Sequence, residues 1–175
     1  MNPPLILDST LREGEQTPGV CFPIHIKAAI ASQLESMGID IIEAGHPLVS
    51  NVTAAGVEAV GRQCRKSRVA AHARSREEDI DAALERGVGM IGIFYCVSDQ
   101  RLRHHDITLN GAIDQICRTI RRCKEMAPQV WVRYTPEDTV RSPWNNVLEA
   151  ARAACEAGAD IISVADTTGA MIPGG

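Results

Sequence analysis

Apolar and polar positions alternate in blocks along the chain. Short, nearly continuous apolar runs recur at residues 5–7, 39–44, 69–72, 90–97, 130–134 and 161–165. Runs of this length, rich in Ile and Val, predict strands buried on both faces. Helical patterns lie between them. Ile26, Ile30, Leu34 and Met37 make one apolar stripe, and Gly38 follows as a C-terminal stop. Ser75 and Glu78 fit a capping box ahead of Ile80 and Leu84, with Gly87 as the stop. Ile113, Ile116, Cys117 and Ile120 form another stripe. Ser142 as N-cap and Pro143 at the first helical position introduce Val147, Ala151 and Ala154, ending at Gly158. The weakest helical pattern covers residues 53–61.

Strand and helix therefore alternate about every 30 residues, which predicts βα units with right-handed crossovers and a parallel sheet. About six strands and five helices are expected. No linker or low-complexity segment interrupts them. The expected class is α/β, and the family resemblance given below implies a TIM (β/α)8 barrel. That fold usually needs about 250 residues, whereas the chain has 175. Residues 1–175 are thus expected to be a partial barrel catalytic domain, truncated after the sixth strand.

Composition narrows the function. Aromatic residues make up 3% of the chain, too few for a platform that stacks single-stranded bases. The net charge of -4 lacks the basic footprint of a nucleic-acid binder. No apolar run approaches a membrane span, and Met1-Asn2-Pro3-Pro4 does not open a signal peptide. The six cysteines form no C-x-x-C pair, and most lie in apolar runs or stripes, so they read as small core residues in a reducing compartment. A cytoplasmic location is expected, with no nucleic-acid or membrane partner.

The polar residues concentrate at strand C-termini. Asp8, Arg12, Glu13, Glu15 and Gln16 follow the first strand, and Glu43 and His46 the second. His72 and Arg74 end the third, and Ser98 and Asp99 the fourth. Arg133, Thr135, Glu137 and Asp138 close the fifth, and Asp166, Thr167 and Thr168 the sixth. In a parallel barrel these ends share the face on which active sites are built. Any single one of them serves equally as a turn or cap residue. Arg133 is the costliest, since V-W-V-R-Y is otherwise a buried strand and a buried guanidinium needs an anionic partner. That partner is either a neighbouring carboxylate or a substrate carboxylate or phosphonate held bidentately. Arg12 and Glu13 are either a surface ion pair or a metal-binding carboxylate beside an arginine, with Gly14 allowing a sharp exit.

Residues 8–20, D-S-T-L-R-E-G-E-Q-T-P-G-V, resemble the opening signature of the homocitrate synthase and 2-isopropylmalate synthase family, the DRE-TIM metalloenzymes that condense acyl-CoA. His72 with Arg74, residues 132–142 (V-R-Y-T-P-E-D-T-V-R-S) and residues 165–169 (A-D-T-T-G) agree with it. The resemblance covers essentially the whole chain, but only the first two-thirds or so of a family barrel. It implies a Claisen-type condensation of acetyl-CoA with a 2-oxo acid held by a divalent metal, whether zinc, manganese, magnesium or iron. It makes Glu13 a metal ligand and Arg12 and Glu137 catalytic. Arg12, Gln16, His72, Arg133, Thr135 and Thr167 become substrate-binding, with Asp8 in support.

Within that family, an arginine at position 133 resembles the homocitrate synthases, where it matches the distal carboxylate of 2-oxoglutarate. Isopropylmalate synthases carry an acidic residue there, and a fourth-strand histidine that Gly92-Ile93-Phe94 lacks. A 2-oxo diacid is therefore expected, 2-oxoglutarate first, giving homocitrate. Isopropylmalate and phosphonomethylmalate synthase chemistries are the alternatives. The family's H-x-H metal pair does not occur here. His104 and His105 are adjacent and read as solvated loop residues. The expected partners are the two substrates and a second copy of the chain or a complementing one. The opposing expectation is a non-catalytic fragment or a subunit of a split enzyme.

Overall fold

The computed structural model describes residues 3–172. Six strands form a sheet ordered as in the sequence: β1 (Leu7–Asp8), β2 (Ile41–Gly45), β3 (Arg68–Arg74), β4 (Met90–Cys96), β5 (Trp131–Glu137) and β6 (Ile161–Ile162). The connections carry α1 (Thr10–Glu13), α2 (Ile24–Ser36), α3 (Asn51–Gln63), α4 (Glu77–Leu84), α5 (Asp99–His104), α6 (Leu109–Met126) and α7 (Trp144–Glu156). Pairing is parallel, with Leu7 opposite Ile41, Ile41 opposite Arg68, and Arg133 opposite Ile161. Strands that never reverse their order, the first five each followed by helix, follow the winding of a TIM barrel through six of its eight strands. A doubly wound sheet would reverse order at a switch point. The fold is an incomplete TIM barrel.

The chain divides into two compact units, Met1–Ala73 with Glu78–Ile91 and Arg74–Glu77 with Gly92–Gly175. In the first, Ile42, Val57, Val60 and Ile80 are fully buried, and α2 packs on α3. In the second, Ile93, Ile116, Ile120 and Tyr134 fill the core, and α6 packs on α7. The expected stripes of α4, α6 and α7 turn their apolar residues inward, but on α2 the buried residues are Lys27 and Ala31, while Ile26 is exposed and Met37 is 76% exposed. Cys64, Cys96, Cys117 and Cys123 are buried as expected, while Cys21 and Cys155 are exposed. Burial pushes the Cys64 and Cys123 thiols up to about 11, so neither is a ready nucleophile.

One local device occurs in both units. The sequences Gly38-Ile39-Asp40-Ile41-Ile42 and Gly158-Ala159-Asp160-Ile161-Ile162 carry the chain from a helix into a strand. Each glycine has positive φ, +86° and +109°, which L side chains rarely adopt. Each aspartate then ties its strand to the preceding one. Ile6 N–H donates to Asp40 Oδ2 at 2.8 Å, and Val132 N–H donates to Asp160 Oδ2 at 2.7 Å. A backbone N–H at the start of the preceding strand is thereby satisfied in each unit.

Local expectations differ from the structure in four places. Residues 10–13 leave β1 as helix α1, not as a sharp exit. The Asp8 carboxylate accepts the Thr10 N–H at 2.9 Å and its hydroxyl at 3.2 Å, which starts the turn. Gly14 has ordinary right-handed helical angles, and its missing side chain makes room for the Phe22 ring, 3.2 Å from where a Cβ would stand. The Ser75 hydroxyl pairs with Thr119 Oγ1 at 2.9 Å, a tertiary bond across the second unit. Ser142 donates to the Asp138 carbonyl at 2.8 Å, and α7 starts one residue later than expected, without a side-chain cap. Side-chain caps come from Ser50, Ser98 and Thr108. His104 ends α5 rather than lying in a loop, and both His104 and His105 are exposed.

Candidate functional site

In the first unit, α1 and the ends of β2 and β3 bring three of the expected residues around one carboxylate. Glu43 is 1% exposed in the middle of β2. Its Oε2 accepts from Arg12 Nε, and its Oε1 lies 3.6 Å from His72 Nδ1. Arg12 also pairs through Nη1 with Glu13 Oε1 at 2.7 Å, and the Glu13 carboxylate is half exposed. A guanidinium has five N–H donors in a fixed fork. Two are directed at carboxylates, and the rest of the fork is held rigidly by them. Glu43 was not singled out for this role from sequence. A carboxylate within I-I-E-A-G costs as much to bury as Arg133 in its strand, and that was the available signal.

Two further pairs support this cluster. His46 Nε2 lies 2.6 Å from Asp79 Oδ1, a carboxylate fully buried on α4, and the His46 ring meets His72 edge-on at 6.3 Å. Lys27 on α2 is 2% exposed. Its Nζ donates to Glu15 Oε2 at 2.6 Å, the Leu11 carbonyl at 3.1 Å and the Ala44 carbonyl at 3.3 Å. Glu15 in turn accepts the Phe22 N–H at 3.1 Å. A buried ammonium with three oxygen partners holds the segment of Arg12 and Glu13 against β2. Gln16 ends the following 3-10 turn and is exposed, outside the cluster.

In the second unit, β5 shows strict alternation. Val132, Tyr134 and Pro136 are buried on one face, and Arg133, Thr135 and Glu137 share the other. Tyr134 is the core anchor, its hydroxyl donating to the Tyr95 carbonyl at 3.3 Å, and burial pushes its pKa up. The Arg133 guanidinium lies against Gly92 on β4. Thr135 Oγ1 is buried with no hydrogen-bond partner among the described residues. A buried hydroxyl left so costs free energy unless something else bonds it.

Past β5, Asp138 takes a left-handed conformation (φ 58°), and its N–H donates to Thr167 Oγ1 at 2.9 Å. Its carboxylate accepts from Arg141 Nε at 2.7 Å, which raises the pKa of that arginine. Thr167 is thereby fixed at a cavity of about 590 Å3 that Glu137, Arg101, Arg103 and His104 also line. Glu137 borders a second cavity too, of about 420 Å3, with Arg74, Arg76 and Gln115. Asp166 next door accepts backbone N–H bonds from Met171 and Ala170, which hold its carboxyl below the usual carboxylate range.

Among the described residues, no three His, Cys, Asp or Glu side chains cluster so as to hold a metal ion. Glu13 supplies one exposed carboxylate, already paired with Arg12. These residues alone do not make up a metal centre. No helix among the described residues is long and apolar enough to cross a membrane.

Known proteins agree with this architecture. The chain is 45% identical over 170 residues to a homocitrate synthase of Pyrococcus abyssi and 42% identical to that of Pyrococcus horikoshii. Each alignment covers 97% of this chain and 46% of the relative, so the chain spans about half the length of the curated relatives it matches. Among solved structures, it is similar to an HMG-CoA lyase of Bacillus subtilis, with TM-score 0.77 and 18% identity over 95% of this chain and 59% of that one. An HMG-CoA lyase of Acinetobacter baumannii in complex with coenzyme A and 3-methylmalate matches equally, with TM-score 0.77 and 18% identity over 96% and 58% of the two chains. These likenesses concern the fold. The HMGL-like family matches residues 4–175, so the chain belongs to the HMGL-like family.

Proposed function

We propose that this chain carries the 2-oxo-acid-binding part of a homocitrate synthase-like acyltransferase, with 2-oxoglutarate as the favoured acceptor. The observation that carries the reading is the half-buried face of β5. It presents a cation, a buried hydroxyl without a protein partner and a carboxylate at three alternate positions. A cation beside a free hydroxyl suits an acid with a second carboxylate, and a branched apolar acid has no use for it. The similarity to curated homocitrate synthases supports the same class.

The reaction forms a bond between the acetyl methyl carbon and the ketone carbon of the 2-oxo acid. A proton leaves the methyl group, and negative charge passes to the ketone oxygen, which is then protonated. Water cleaves the thioester and releases the CoA thiol. In this scheme Arg12 stabilises the charge on oxygen with the N–H donors not committed to Glu43 and Glu13. Its fixed orientation means that little reorganisation is needed when the charge develops. Arg133 grips the distal carboxylate, Thr135 and Thr167 bond the acid, and His72 contacts it from β3. Glu137 is the catalytic carboxylate of β5. A divalent metal implied by the family would take Glu13 as a ligand. The remaining ligands are not found among the described residues, and no step is derived through it.

The test is release of CoA thiol by the protein expressed from its gene. Acetyl-CoA is supplied with 2-oxoglutarate, oxaloacetate, phosphonopyruvate or 2-oxoisovalerate, and with Mn2+ or Zn2+. Fastest release with 2-oxoglutarate is expected. Release with 2-oxoisovalerate alone contradicts the diacid. No release with any acid contradicts the enzymatic reading and favours a non-catalytic chain.

A further inference from the structure

We propose that Gly92 is a specificity-determining residue, whose missing side chain sets the position of the Arg133 guanidinium. The inference rests on the reading that Arg133 grips the distal carboxylate of the acid. Gly92 lies inside β4 and is buried. Glycine there weakens a strand, since it packs nothing and loses the most backbone entropy on folding. It is not placed there for its backbone, because it is absent from the glycines of positive φ. What it supplies is space. A Cβ at this position would stand 2.7 Å from Arg133 Nη2, 3.3 Å from Cζ and 3.4 Å from Nε. Carbon and nitrogen atoms do not pack at 2.7 Å, so any side chain displaces the guanidinium.

The displaced group is the far end of a flexible side chain. No backbone atom stands within the three nearest contacts. The strand therefore tolerates a methyl group, whereas the cation does not keep its place. A bidentate grip depends on the fork being aligned with both carboxylate oxygens. A displacement of about 1 Å at a positioning group can cost on the order of 100-fold in rate. Glycine at 92 and arginine at 133 thus act as one unit, the first making the recess that the second occupies. Neither position predicts this from sequence, because they are 41 positions apart and meet only across the sheet.

The experiment compares Gly92→Ala, Arg133→Leu and the unaltered protein, expressed from its gene. It reads kcat/KM with 2-oxoglutarate and with 2-oxoisovalerate, together with thermal melting. For Gly92→Ala, kcat/KM should fall about 10-fold or more with 2-oxoglutarate and change less than about 3-fold with 2-oxoisovalerate, with the melting transition retained. Arg133→Leu should abolish the preference for the diacid. If Arg133→Leu loses the preference and Gly92→Ala keeps it, the proposal fails while the reading of Arg133 stands. If Arg133→Leu keeps the preference, or the unaltered protein has none, the underlying reading fails and takes the proposal with it. If Gly92→Ala does not fold, the recess serves packing, and the proposal is overturned.

Discussion

The two units solve the same folding problem and differ in what they leave open. Both turn from helix to strand through glycine, a spacer and an aspartate that ties down the preceding strand. Beyond that, the first unit bonds its charges to one another. Arg12, Glu13, Glu43 and His72 form one cluster, His46 and Asp79 a pair, and Lys27 a latch with three oxygens. The second unit instead places Arg133, Thr135 and Glu137 on one strand face, leaves the Thr135 hydroxyl without a protein partner, and borders two cavities with Glu137. A cluster of paired charges is rigid and preorganised. A buried hydroxyl with no partner among the described residues is poised for a ligand. The difference teaches that the first unit fixes its charged side chains by pairing them, whereas the second leaves a buried hydroxyl without a partner among the described residues.

The largest expected effect breaks the paired side. Lys27→Met removes the latch and leaves Glu15 and two carbonyls without their cation. Removing one partner of a buried ion pair usually costs about 3–5 kcal/mol. Glu15 is partly exposed, which places this loss near the lower end. Urea unfolding measures it, and a loss below about 1 kcal/mol would show that the cluster holds without Lys27.

The open side predicts the opposite. Thr135→Val replaces a buried hydroxyl that has no protein partner with a methyl of the same shape. Stability should stay within about 0.5 kcal/mol or rise, while KM for 2-oxoglutarate increases several-fold. A clear loss of stability with unchanged KM would make Thr135 a structural residue and erase the contrast.

The smallest effect is a pH dependence on the first unit's surface. Glu35 accepts backbone N–H bonds from Ser67, Lys66 and Arg65 at 2.6–2.8 Å, which hold its carboxyl below the usual carboxylate range. A carboxyl depressed in the folded state adds stability above its unfolded pKa. That contribution is lost as the pH falls through the folded value. Melting curves between about pH 6 and pH 3 should therefore fall more steeply for the unaltered protein than for Glu35→Gln. Parallel curves would show that the three bonds carry no net stabilisation.

Much of the fold was legible in the apolar runs. All six expected strands form, but only β2 is buried at every position; β1 and β6 are half-buried and β5 alternates. The glycine stops at Gly38, Gly87 and Gly158 hold, since each requires positive φ. The shared face of the second unit's candidate residues was also legible, because Arg133, Thr135 and Glu137 stand in one short run with period two. The first unit's site was half legible. Arg12, Glu13 and His72 stood out, but their organiser Glu43 and the latch Lys27 declare themselves only through contacts between elements. Ser75 and Ser142 looked like caps because local sequence favours that role, and tertiary partners took their hydroxyls instead. Gly92 was noticed for a histidine it lacks, while its room for Arg133 depends on two strands lying side by side.

The central claim is that Arg133 makes the second unit selective for a diacid, and its most direct test is a charge reversal. The ratio of kcat/KM for 2-oxoglutarate to that for 2-oxoisovalerate is measured for the unaltered protein and for Arg133→Glu. The account predicts a fall of about 100-fold or more in the ratio, with preference moving to the branched acid. An unchanged ratio would contradict it.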